Sequence, residues 1–386
     1  MRTLFTVLLW VAAAVGGDLQ SPAPAGSGQP YLAEAPDGSI RMSWIEPRGE
    51  GRHVLRFSVL RKGTGWSPAR SAVEGGGWMV NWADFPSILE LTDGAMAAHW
   101  LVRHPGKRAA YDAWMALSFD SGATWSAGSP LHRDGTATEH GFVSMFPMDG
   151  ATVGAAWLDG REAPRMTLRA AAFGRDGRPS QEWVLDEDVC TCCPTSVAIT
   201  SQGPLVAYRD HHPGEIRDIS VVGWNGGRWS PPRSVSQDGW KIHGCPVNGP
   251  SIAASGRRVA LAWYTMADQV PRVRMAFSDD AGQSFHPAVE LAGGAPTGRV
   301  QVRMLEDASA VASWLERAPE NGAEAGRLMA RRVWPSGKLG RPVTVAAVSP
   351  ARSTGFPQMA RWGEHLVFCW TTPAGVATAA IPVPAR

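Results

Sequence analysis

Four cysteines in two segments of the chain have the type and spacing of a single thiol site. Three of them crowd into four consecutive positions, as Cys190, Cys192 and Cys193. The fourth, Cys245, follows in the segment KIHGCPVN, which also contains His243. Thiolates and an imidazole together suit copper(I) or zinc, because soft sulfur ligands select those ions. These five side chains are therefore the candidate metal ligands.

Three interpretations of the cysteines stay open at this point. One or two disulfides, for example between Cys245 and a member of the cluster, suit a protein outside the cytoplasm. A soft-metal site is the second interpretation, although the spacing C-x-C-C matches no common zinc pattern. A reactive thiol activated by His243 or Lys241 is the third. The fifth cysteine, Cys369, stands in a β-prone run and is predicted to be a small buried core residue.

Length and composition exclude several classes of protein. The chain has 386 residues, of which 44% are hydrophobic, with 18 Trp, 43 Gly and 30 Pro. Disordered chains are poor in aromatic residues, so disorder is excluded. Nucleic-acid binders are strongly basic, whereas the formal net charge here is only +2. Gly and Pro spread along the whole chain predict many short elements joined by turns.

The first residues predict export. Met1–Gly17 combines a basic start, an apolar run and small residues before a cleavage point, which is the pattern of a secretory signal peptide. The run is too short to span a bilayer, and we expect no membrane span elsewhere. Residues 18–29 have the composition of a flexible linker. We therefore expect a periplasmic or secreted monomer whose single domain covers residues 30–386.

One motif recurs along that domain, a short β-prone run that ends in an aromatic residue. The seven aromatic residues are Trp44, Trp100, Trp157, Tyr208, Trp263, Trp314 and Trp370. Their spacings are 56, 57, 51, 55, 51 and 56 residues, and a second β-prone run precedes most of them. Four antiparallel strands in roughly fifty residues make one propeller blade. The repeat predicts an all-β propeller of four-stranded antiparallel blades, seven in number, with six as the alternative.

Two turns of one type indicate the kind of propeller. Their residues are Ser118, Asp120, Gly122, Thr124 and Trp125 in the first, and Ser278, Asp280, Gly282, Ser284 and Phe285 in the second. The aspartate can accept N–H bonds across the turn, and the glycine takes a positive φ. This motif is the Asp box, and the chain from about Pro30 onward resembles the sialidase-like, BNR-repeat β-propeller superfamily. The resemblance implies that these turn residues are structural.

The resemblance also provides a test for sialidase chemistry. Family sialidases bind the substrate carboxylate with an arginine triad and use a tyrosine nucleophile, but the family's Arg-Ile-Pro motif is absent and no tyrosine follows Tyr264. Arg299 and Arg352 stand at equivalent positions between blades and could bind an anion. Catalysis therefore stays open, with a glycosidase of the exo-α-sialidase type as the enzymatic alternative. Its candidate carboxylates are Asp84, Asp159, Asp210 and Glu215.

One face of the propeller is expected to carry the site, because loops on a rigid scaffold are where binding residues collect. The polar residues expected to contact a ligand there are Arg161, Arg209, His211, Arg217, Arg299 and Arg352. The leading hypothesis is an exported binding protein for a soft metal, copper first and zinc second, or for a small anionic ligand. The alternatives are a glycoside hydrolase acting on an acidic glycan and a scaffold for a protein partner, and no nucleic acid partner is expected.

Overall fold

The computed structural model describes residues 19–107, 109–149, 152–318 and 325–385. The predicted signal peptide, Met1–Gly17, lies outside the described residues. Within them the chain forms seven antiparallel sheets, each a meander of consecutive strands. The only helical elements in these ranges are the single 3-10 turns Ala267–Gln269 and Arg352–Thr354. No helix among them is long and apolar enough to cross a membrane.

The strands follow one another in chain order, and every sheet is built from neighbours in sequence. They are β1 (Gly28–Glu34), β2 (Ile40–Pro47), β3 (Arg52–Arg61), β4 (Gly65–Trp66), β5 (Arg70–Gly76), β6 (Ser87–Glu90), β7 (Met96–Arg103), β8 (Tyr111–Ser118), β9 (Ser129–Pro130), β10 (His140–Asp149), β11 (Thr152–Asp159), β12 (Met166–Phe173), β13 (Pro179–Val189), β14 (Ser196–Thr200), β15 (Gly203–Arg209), β16 (Ile219–Asn225), β17 (Arg228–Trp229), β18 (Arg233–Ser236), β19 (Ser251–Ser255), β20 (Arg258–Thr265), β21 (Arg272–Ser278), β22 (Val289–Glu290), β23 (Ala295–Met304), β24 (Ala310–Arg317), β25 (Gly326–Val333), β26 (Val343–Val348), β27 (Gln358–Trp362), β28 (His365–Thr372) and β29 (Gly375–Pro382).

The sheets are the blades of a propeller, and there are seven of them. Four sheets have four strands each: β6–β9, β10–β13, β19–β22 and β23–β26. In the sheets β1–β5 and β14–β18 the outer strand is split into two pieces that pair with the same third strand. The last sheet, β27–β29, has three strands. The predicted all-β propeller is confirmed, with seven blades and not six.

The repeated aromatic residue lies in the second strand of every blade. Trp44, Trp157, Trp263 and Trp314 are each at most 1% exposed, so these rings fill the space between neighbouring sheets. Fully burying a large apolar side chain contributes about 1.5–3 kcal/mol. One such ring per blade explains why the spacing of the aromatics follows the blade length.

Residues 19–27, which belong to the predicted linker, lie along the outer edge of the last blade. The hydroxyl of Thr378 in β29 donates to the carbonyl of Leu19. The N–H of Gly26 donates to the carbonyl of Ala374 at 3.0 Å. This segment covers the free edge of the three-stranded sheet without forming a strand of its own in the described residues, and the following residues enter the first blade as β1.

The direction of the strands separates the loops onto two faces. In a four-stranded meander, the loop after the second strand and the loop to the next blade leave from the same end. We call this end the upper face. It receives the segments 77–86, 131–139, 190–195, 210–218 and 237–250. The loop after the third strand leaves from the opposite, lower face, so the two predicted Asp boxes and the cysteines lie at opposite ends of the blades.

Both predicted Asp-box turns are closed by the same hydrogen bonds. Asp120 accepts the Thr124 N–H at 2.8 Å and the Thr124 hydroxyl at 2.6 Å. Ser118 donates to Asp120 and accepts the Gly122 N–H, each at 2.8 Å. The second turn repeats this pattern with Asp280 between Ser278 and Ser284. These aspartates are occupied with holding the turn, and hydrogen bonds from Thr124 lower the pKa of Asp120 to about 2.

Candidate functional site

Three of the predicted metal ligands converge on the upper face. Cys190 follows directly on β13, and Cys193 lies shortly before β14, so both belong to the loop between the third and fourth blades. The sulfur atoms of Cys190, Cys192 and Cys193 all lie within 4.8 Å of one another. The Sγ atoms of Cys190 and Cys193 are 3.6 Å apart. The sequence interval between these two is C-x-x-C, a spacing that brings both side chains to one side of a tight loop.

Cys245 approaches this trio from the loop between the fourth and fifth blades. Its sulfur lies 3.1 Å from the hydroxyl of Thr191 and close enough to the thiol of Cys192 for the two groups to shift each other's pKa. We call Cys190, Cys192, Cys193 and Cys245 the thiol cluster. His243 does not join it: its exposed side chain forms no hydrogen bond or ion pair with any residue that the structure describes. Three of the predicted sulfur ligands therefore lie together, with Cys245 next to Thr191 of the loop that carries them, and His243 makes no contact with them through a hydrogen bond or ion pair.

The thiol cluster is buried on one side and open on the other. Cys190 and Cys193 are each 1% exposed, whereas Cys192 is half-buried and Cys245 is exposed. All five cysteines are free, and Cys369 is fully buried in the last blade, as its apolar surroundings in the sequence predict. A disulfide needs sulfur atoms about 2.05 Å apart, so the 3.6 Å between Cys190 and Cys193 is a contact of two thiols.

Close packing of two loops holds the sulfur atoms together. The N–H of Asn248 donates to the Sγ of Cys193 at 3.4 Å. The next residue, Gly249, lies so close to the preceding loop that a Cβ there would be 1.9 Å from the carbonyl oxygen of Pro194. Only a glycine allows this approach. The loop that carries Cys245 is thus fastened directly onto the end of the Cys190–Cys193 segment.

The surroundings of the cluster favour the thiolate form of Cys190 and Cys245, whereas the pKa values of Cys192 and Cys193 are raised. The pKa of Cys190 is lowered, because the Cys192 and Cys193 thiols donate hydrogen bonds to its sulfur and the Arg209 guanidinium adds a nearby positive charge. A hydrogen bond from Cys192 lowers the pKa of Cys245 to about 6. The pKa of Cys192 is raised, because its proton is used in these hydrogen bonds. The guanidinium of Arg217 lies close enough to Cys190 for a favourable charge interaction, so two guanidinium groups lie near the buried side of the cluster.

Two of the arginines predicted to bind a ligand are occupied with the backbone. Arg209 is 1% exposed, and its guanidinium donates to the carbonyl oxygens of Asn248, Arg217 and Tyr264 at 2.5–2.9 Å. Arg299 is 6% exposed and donates to the carbonyls of residues 350, 351 and 355. Both side chains tie loops of the upper face together. Their positive charge still acts on neighbouring groups, but their N–H groups donate to these backbone carbonyls.

The other predicted polar contacts lie on or near the surface. Arg352 is exposed, and its guanidinium stands 5.7 Å from the ring of Trp82, on which Arg299 also stacks at 5.1 Å. His211 hydrogen-bonds with Asp188 through Nδ1 at 2.9 Å. Trp82 therefore carries two guanidinium groups on the upper face.

Arg217 and Arg161 are each paired with acidic residues. Arg217 donates to Glu215 at 2.7 Å. Arg161 makes a bidentate pair with Asp159, at 2.7 and 2.8 Å, and a further bond to Glu182 at 2.8 Å. Hydrogen bonds from Arg217 lower the pKa of Glu215. These pairs leave Asp159 and Glu215 ionised and fully engaged.

Of the four candidate carboxylates, Asp159 and Asp210 have clear structural partners. Asp159 accepts the indole N–H of Trp157 at 2.7 Å, a bond that Glu46 and Glu316 repeat with the marker tryptophans of their own blades. Asp210 accepts the hydroxyl of Ser220 at 2.6 Å. An acidic residue two positions after the repeated tryptophan therefore has the same structural part in three of the blades.

Asp84 differs from the other candidates, because it is buried without a cationic partner in the described structure. It is 2% exposed, lines a central cavity of about 410 Å³, and accepts a hydrogen bond from the hydroxyl of Tyr111 at 3.2 Å. Desolvation raises its pKa to about 7. Glu139 lies close enough to add a further negative charge. Sequence reasoning missed Tyr111, because only the folding of β6–β8 into one blade brings the start of β8 to the loop that carries Asp84.

The fold is similar to that of several solved propellers. A lectin from Burkholderia pseudomallei superposes with a TM-score of 0.58 and 10% identity, covering 95% of this chain and 97% of the lectin. The endosialidase of phage phi92 gives 0.51 and 9% identity, with 96% of this chain and 70% of that chain covered. No protein-family model matches the chain, and no curated protein matches its sequence.

These likenesses define a class of fold. The molecule is a seven-bladed, sialidase-like β-propeller, as the Asp-box turns and the repeat predict. At about 10% identity the similarity concerns the fold alone. Because one fold serves many functions, the function has to be argued from the upper face.

Proposed function

We propose that this chain is an exported binding protein for a soft metal ion, copper(I) in the first place, held by Cys190, Cys192 and Cys193. The observation that carries the proposal is the convergence of three sulfur atoms within 4.8 Å, with the sulfur of Cys245 beside them. Soft thiolate ligands select copper(I) and zinc over harder ions.

The distances support direct coordination by one ion. With metal–sulfur bonds of about 2.3 Å, three sulfurs in a plane around an ion stand about 4.0 Å apart, and tetrahedral ligands about 3.8 Å. Cys190 and Cys193 are already 3.6 Å apart. Structural zinc is almost always four-coordinate, whereas copper(I) accepts three thiolates. The compact trio with a more loosely attached fourth cysteine favours copper(I), with zinc as the alternative ion.

The surroundings of the cluster support both retention and exchange of the ion. Three thiolates around copper(I) carry a net charge of two negative units, and the guanidinium groups of Arg209 and Arg217 face them from the buried side. Cys245 and Cys192 stand on the accessible side. An incoming donor can therefore reach Cys245 first and pass its ion to the buried pair by exchange of thiolate ligands.

The proposed location outside the cytoplasm rests on the signal-like composition of Met1–Gly17. In an oxidising compartment free thiols are converted to disulfides unless something occupies them. A bound copper(I) would protect the thiol cluster there. Fractionation of cells that express the full chain tests this part: the protein should be recovered without residues 1–17, and cytoplasmic recovery at full mass would contradict it.

Copper(I) titration against a competing chelator tests the binding itself. The wild-type chain should bind one copper(I) per chain under anaerobic conditions. Cys190→Ser should lose the site, and Cys245→Ser should keep the stoichiometry while its ion exchanges more slowly. Cys369→Ala is the matched control, since Cys369 is buried in another blade. Equal binding by Cys190→Ser and the wild type would refute the proposal.

A glycoside hydrolase is kept as a second function because of Asp84 alone. A carboxyl group that keeps its proton to about pH 7 in a central cavity has the property of a general acid. Asp84→Asn should abolish turnover of an aryl sialoside or another acidic glycoside if this function exists. Asp210→Asn, which alters a carboxylate held by Ser220, is the control. Absence of turnover by the wild type excludes this candidate for the glycosides tested.

A further inference from the structure

A second group of metal-ligating side chains lies on the upper face between the second and third blades. His132 follows β9, His140 begins β10, and Asp112 lies at the start of β8. Their ligand atoms all lie within 4.8 Å of one another. The two imidazole rings are stacked with centroids 3.6 Å apart and planes at 11°. We call Asp112, His132 and His140, together with Asp134, the histidine cluster.

Each ring stands between two carboxylates. On one side, Oδ1 of Asp112 lies 3.1 Å from Nε2 of His132 and 3.2 Å from Nδ1 of His140. On the other side, Asp134 contacts Nδ1 of His132 and lies 3.4 Å from Nε2 of His140. Asp134 is fixed in turn by the hydroxyl of Thr136. Asp112 therefore faces Nε2 of His132 and Nδ1 of His140, and Asp134 faces the opposite nitrogen of each ring.

His132 has a carboxylate oxygen at hydrogen-bond distance from each ring nitrogen, so a proton or a metal ion has to lie between each nitrogen and its carboxylate. When His132 gives its Nδ1 N–H to Asp134, its Nε2 faces the Asp112 oxygen, and Nδ1 of His140 lies 3.2 Å from the same oxygen. Three electron-rich atoms then face one another at close range, which is unfavourable unless a positive charge lies between them. A metal-ligating histidine commonly gives its other N–H to a carboxylate, which is the part that Asp134 fills here.

His140 shows that the cluster lacks a partner. Its side chain is fully buried, and neither ring nitrogen forms a hydrogen bond in the described part of the chain. Both nitrogens have carboxylate oxygens at 3.2–3.7 Å, but without the alignment that a hydrogen bond needs. A buried polar atom without a partner is costly, so native proteins rarely keep one without a reason.

The charges around the histidine cluster also favour a bound cation. Asp112, Asp134 and Asp159 supply three negative charges within ion-pair distance of His140. The guanidinium of Arg161, paired with Asp159 and 3.7 Å from Asp134, supplies one positive charge. Two negative charges remain. One dication neutralises them, whereas two protons would place two imidazolium rings in a stack at 3.6 Å.

We propose that the histidine cluster binds one divalent first-row transition ion, with Zn²⁺ as its probe, through His132 Nε2, His140 Nδ1 and Asp112 Oδ1. Tetrahedral ligands at about 2.1 Å from an ion stand about 3.4 Å apart, close to the 3.1 and 3.2 Å from Asp112 to the two rings. Because the two rings lie in nearly parallel planes, binding requires at least one of them to rotate so that its lone pair points at the ion. Imidazole and carboxylate donors separate this site from the thiol cluster, which selects a softer ion.

His104 contacts Asp112 at the exposed edge of the same site. Its Nε2 lies 2.8 Å from the Asp112 oxygen that faces the ion position, and its side chain is partly exposed. Three protein ligands with an open fourth position are the pattern of exchangeable zinc, in which water or a ligand completes the coordination. The histidine cluster thus offers a place where a small donor molecule can bind to the ion from the upper face.

Cobalt(II) and zinc binding to the full chain test the proposal without any activity. The chain with Cys190, Cys192, Cys193 and Cys245 all changed to Ser should still bind one Zn²⁺ in equilibrium dialysis. With Co²⁺ it should show d–d bands and no sulfur-to-cobalt charge-transfer band. Retained binding there, together with lost copper(I) binding, separates this site from the thiol cluster. If this chain, folded by its near-ultraviolet circular dichroism, binds neither ion, the proposal is overturned.

Substitutions of the ligands complete the test. His140→Gln should remove the zinc equivalent, and Asp134→Asn should weaken it by roughly 10–100-fold, because that carboxylate orients both rings. His286→Gln is the matched control, since His286 faces the single carboxylate of Asp279 at 3.2 Å on the surface. In the wild-type chain the total zinc should fall by one equivalent with His140→Gln. An unchanged stoichiometry in a folded His140→Gln chain would overturn the assignment.

Discussion

Gly249→Ala should weaken metal binding by the thiol cluster although residue 249 touches no metal ligand itself. A Cβ at this position would lie 1.9 Å from the carbonyl oxygen and 2.8 Å from the carbonyl carbon of Pro194. Both are backbone atoms of the loop that follows Cys193. Neither can move aside by rotation of a side chain, so the two loops have to separate.

The size of the separation follows from the distances. An ordinary contact starts at 3.4 Å, so the loops must move apart by about 1.5 Å to relieve a contact at 1.9 Å. The hydrogen bond from the Asn248 N–H to Cys193, now 3.4 Å long, would then be broken. Forcing extra volume into a packed site costs typically about 1–3 kcal/mol. Loss of an interaction that orients a metal ligand lowers affinity by roughly 10–100-fold.

Two assays measure the two effects on the same protein. Copper(I) competition should show an affinity reduced within that range, and urea unfolding of the metal-free chain should show the loss of stability. Gly293→Ala is the control, because a Cβ there meets no atom within 4 Å and needs no unusual backbone angle. If Gly249→Ala matches Gly293→Ala in both assays, the two loops are not packed together as described, and the explanation of how the sulfurs are held fails.

Three further results are expected. Arg209→Met should lower the free energy of unfolding by at least about 3 kcal/mol, since three buried carbonyls lose their donor. Arg352→Met, at an exposed site, should change it by less than about 0.5 kcal/mol, and urea denaturation of the two variants measures the difference. Asp84→Asn should gain stability relative to the wild type as the pH rises from about 4 to 7, by up to about 4 kcal/mol. Desolvation raises the pKa of the folded carboxyl to about 7, so over this range the unfolded wild type releases its proton while the folded wild type keeps it; a difference that is constant with pH would contradict this. Tyr111→Phe, which removes the hydrogen bond to the Asp84 carboxylate, should raise the pKa of Asp84 further, and infrared titration of the carboxyl band would detect it; an unchanged titration would show that the hydroxyl does not reach Asp84.

The sequence repeat predicts the fold well because each blade needs an aromatic residue at the same packing position. Each marker aromatic, such as Trp157 or Trp263, occupies the same place in its blade, and both are fully buried between sheets. The number of these aromatics predicts seven blades correctly. The three-stranded last blade and the course of residues 19–27 along it depend on tertiary contacts that the local pattern does not contain.

The candidate site is only partly predictable, for physical reasons that differ between residues. The convergence of Cys245 with Cys192 follows from the equivalence of two inter-blade loops, so sequence spacing is enough to predict it. Arg209 is polar and lies in a loop of the expected kind, yet its guanidinium is used by three backbone carbonyls. Sequence cannot distinguish a charged side chain that faces a ligand from one that fastens a loop.

Residues that meet across a blade boundary were missed for another reason. Asp112 and His140 belong to β8 and β10, in different blades, and only the strand register places them 3.2 Å apart. Neither belongs to a motif with recognisable spacing. Asp84 and Tyr111 meet within one blade, where the loop before β6 reaches the start of β8. A search for histidine and acidic residues at the upper ends of neighbouring strands would have found the first of these pairs once the blades were assigned.

The central claim is that the thiol cluster holds a soft metal ion. Its most direct test is X-ray absorption spectroscopy of the chain purified from copper-supplemented cells, together with a titration of the free thiols of the same protein. The claim predicts one copper(I) per chain with sulfur alone in its first shell, and free thiols at the four cysteines once the ion is removed. A chain that carries no copper, and whose Cys190, Cys192, Cys193 and Cys245 are all joined in disulfides, would contradict it.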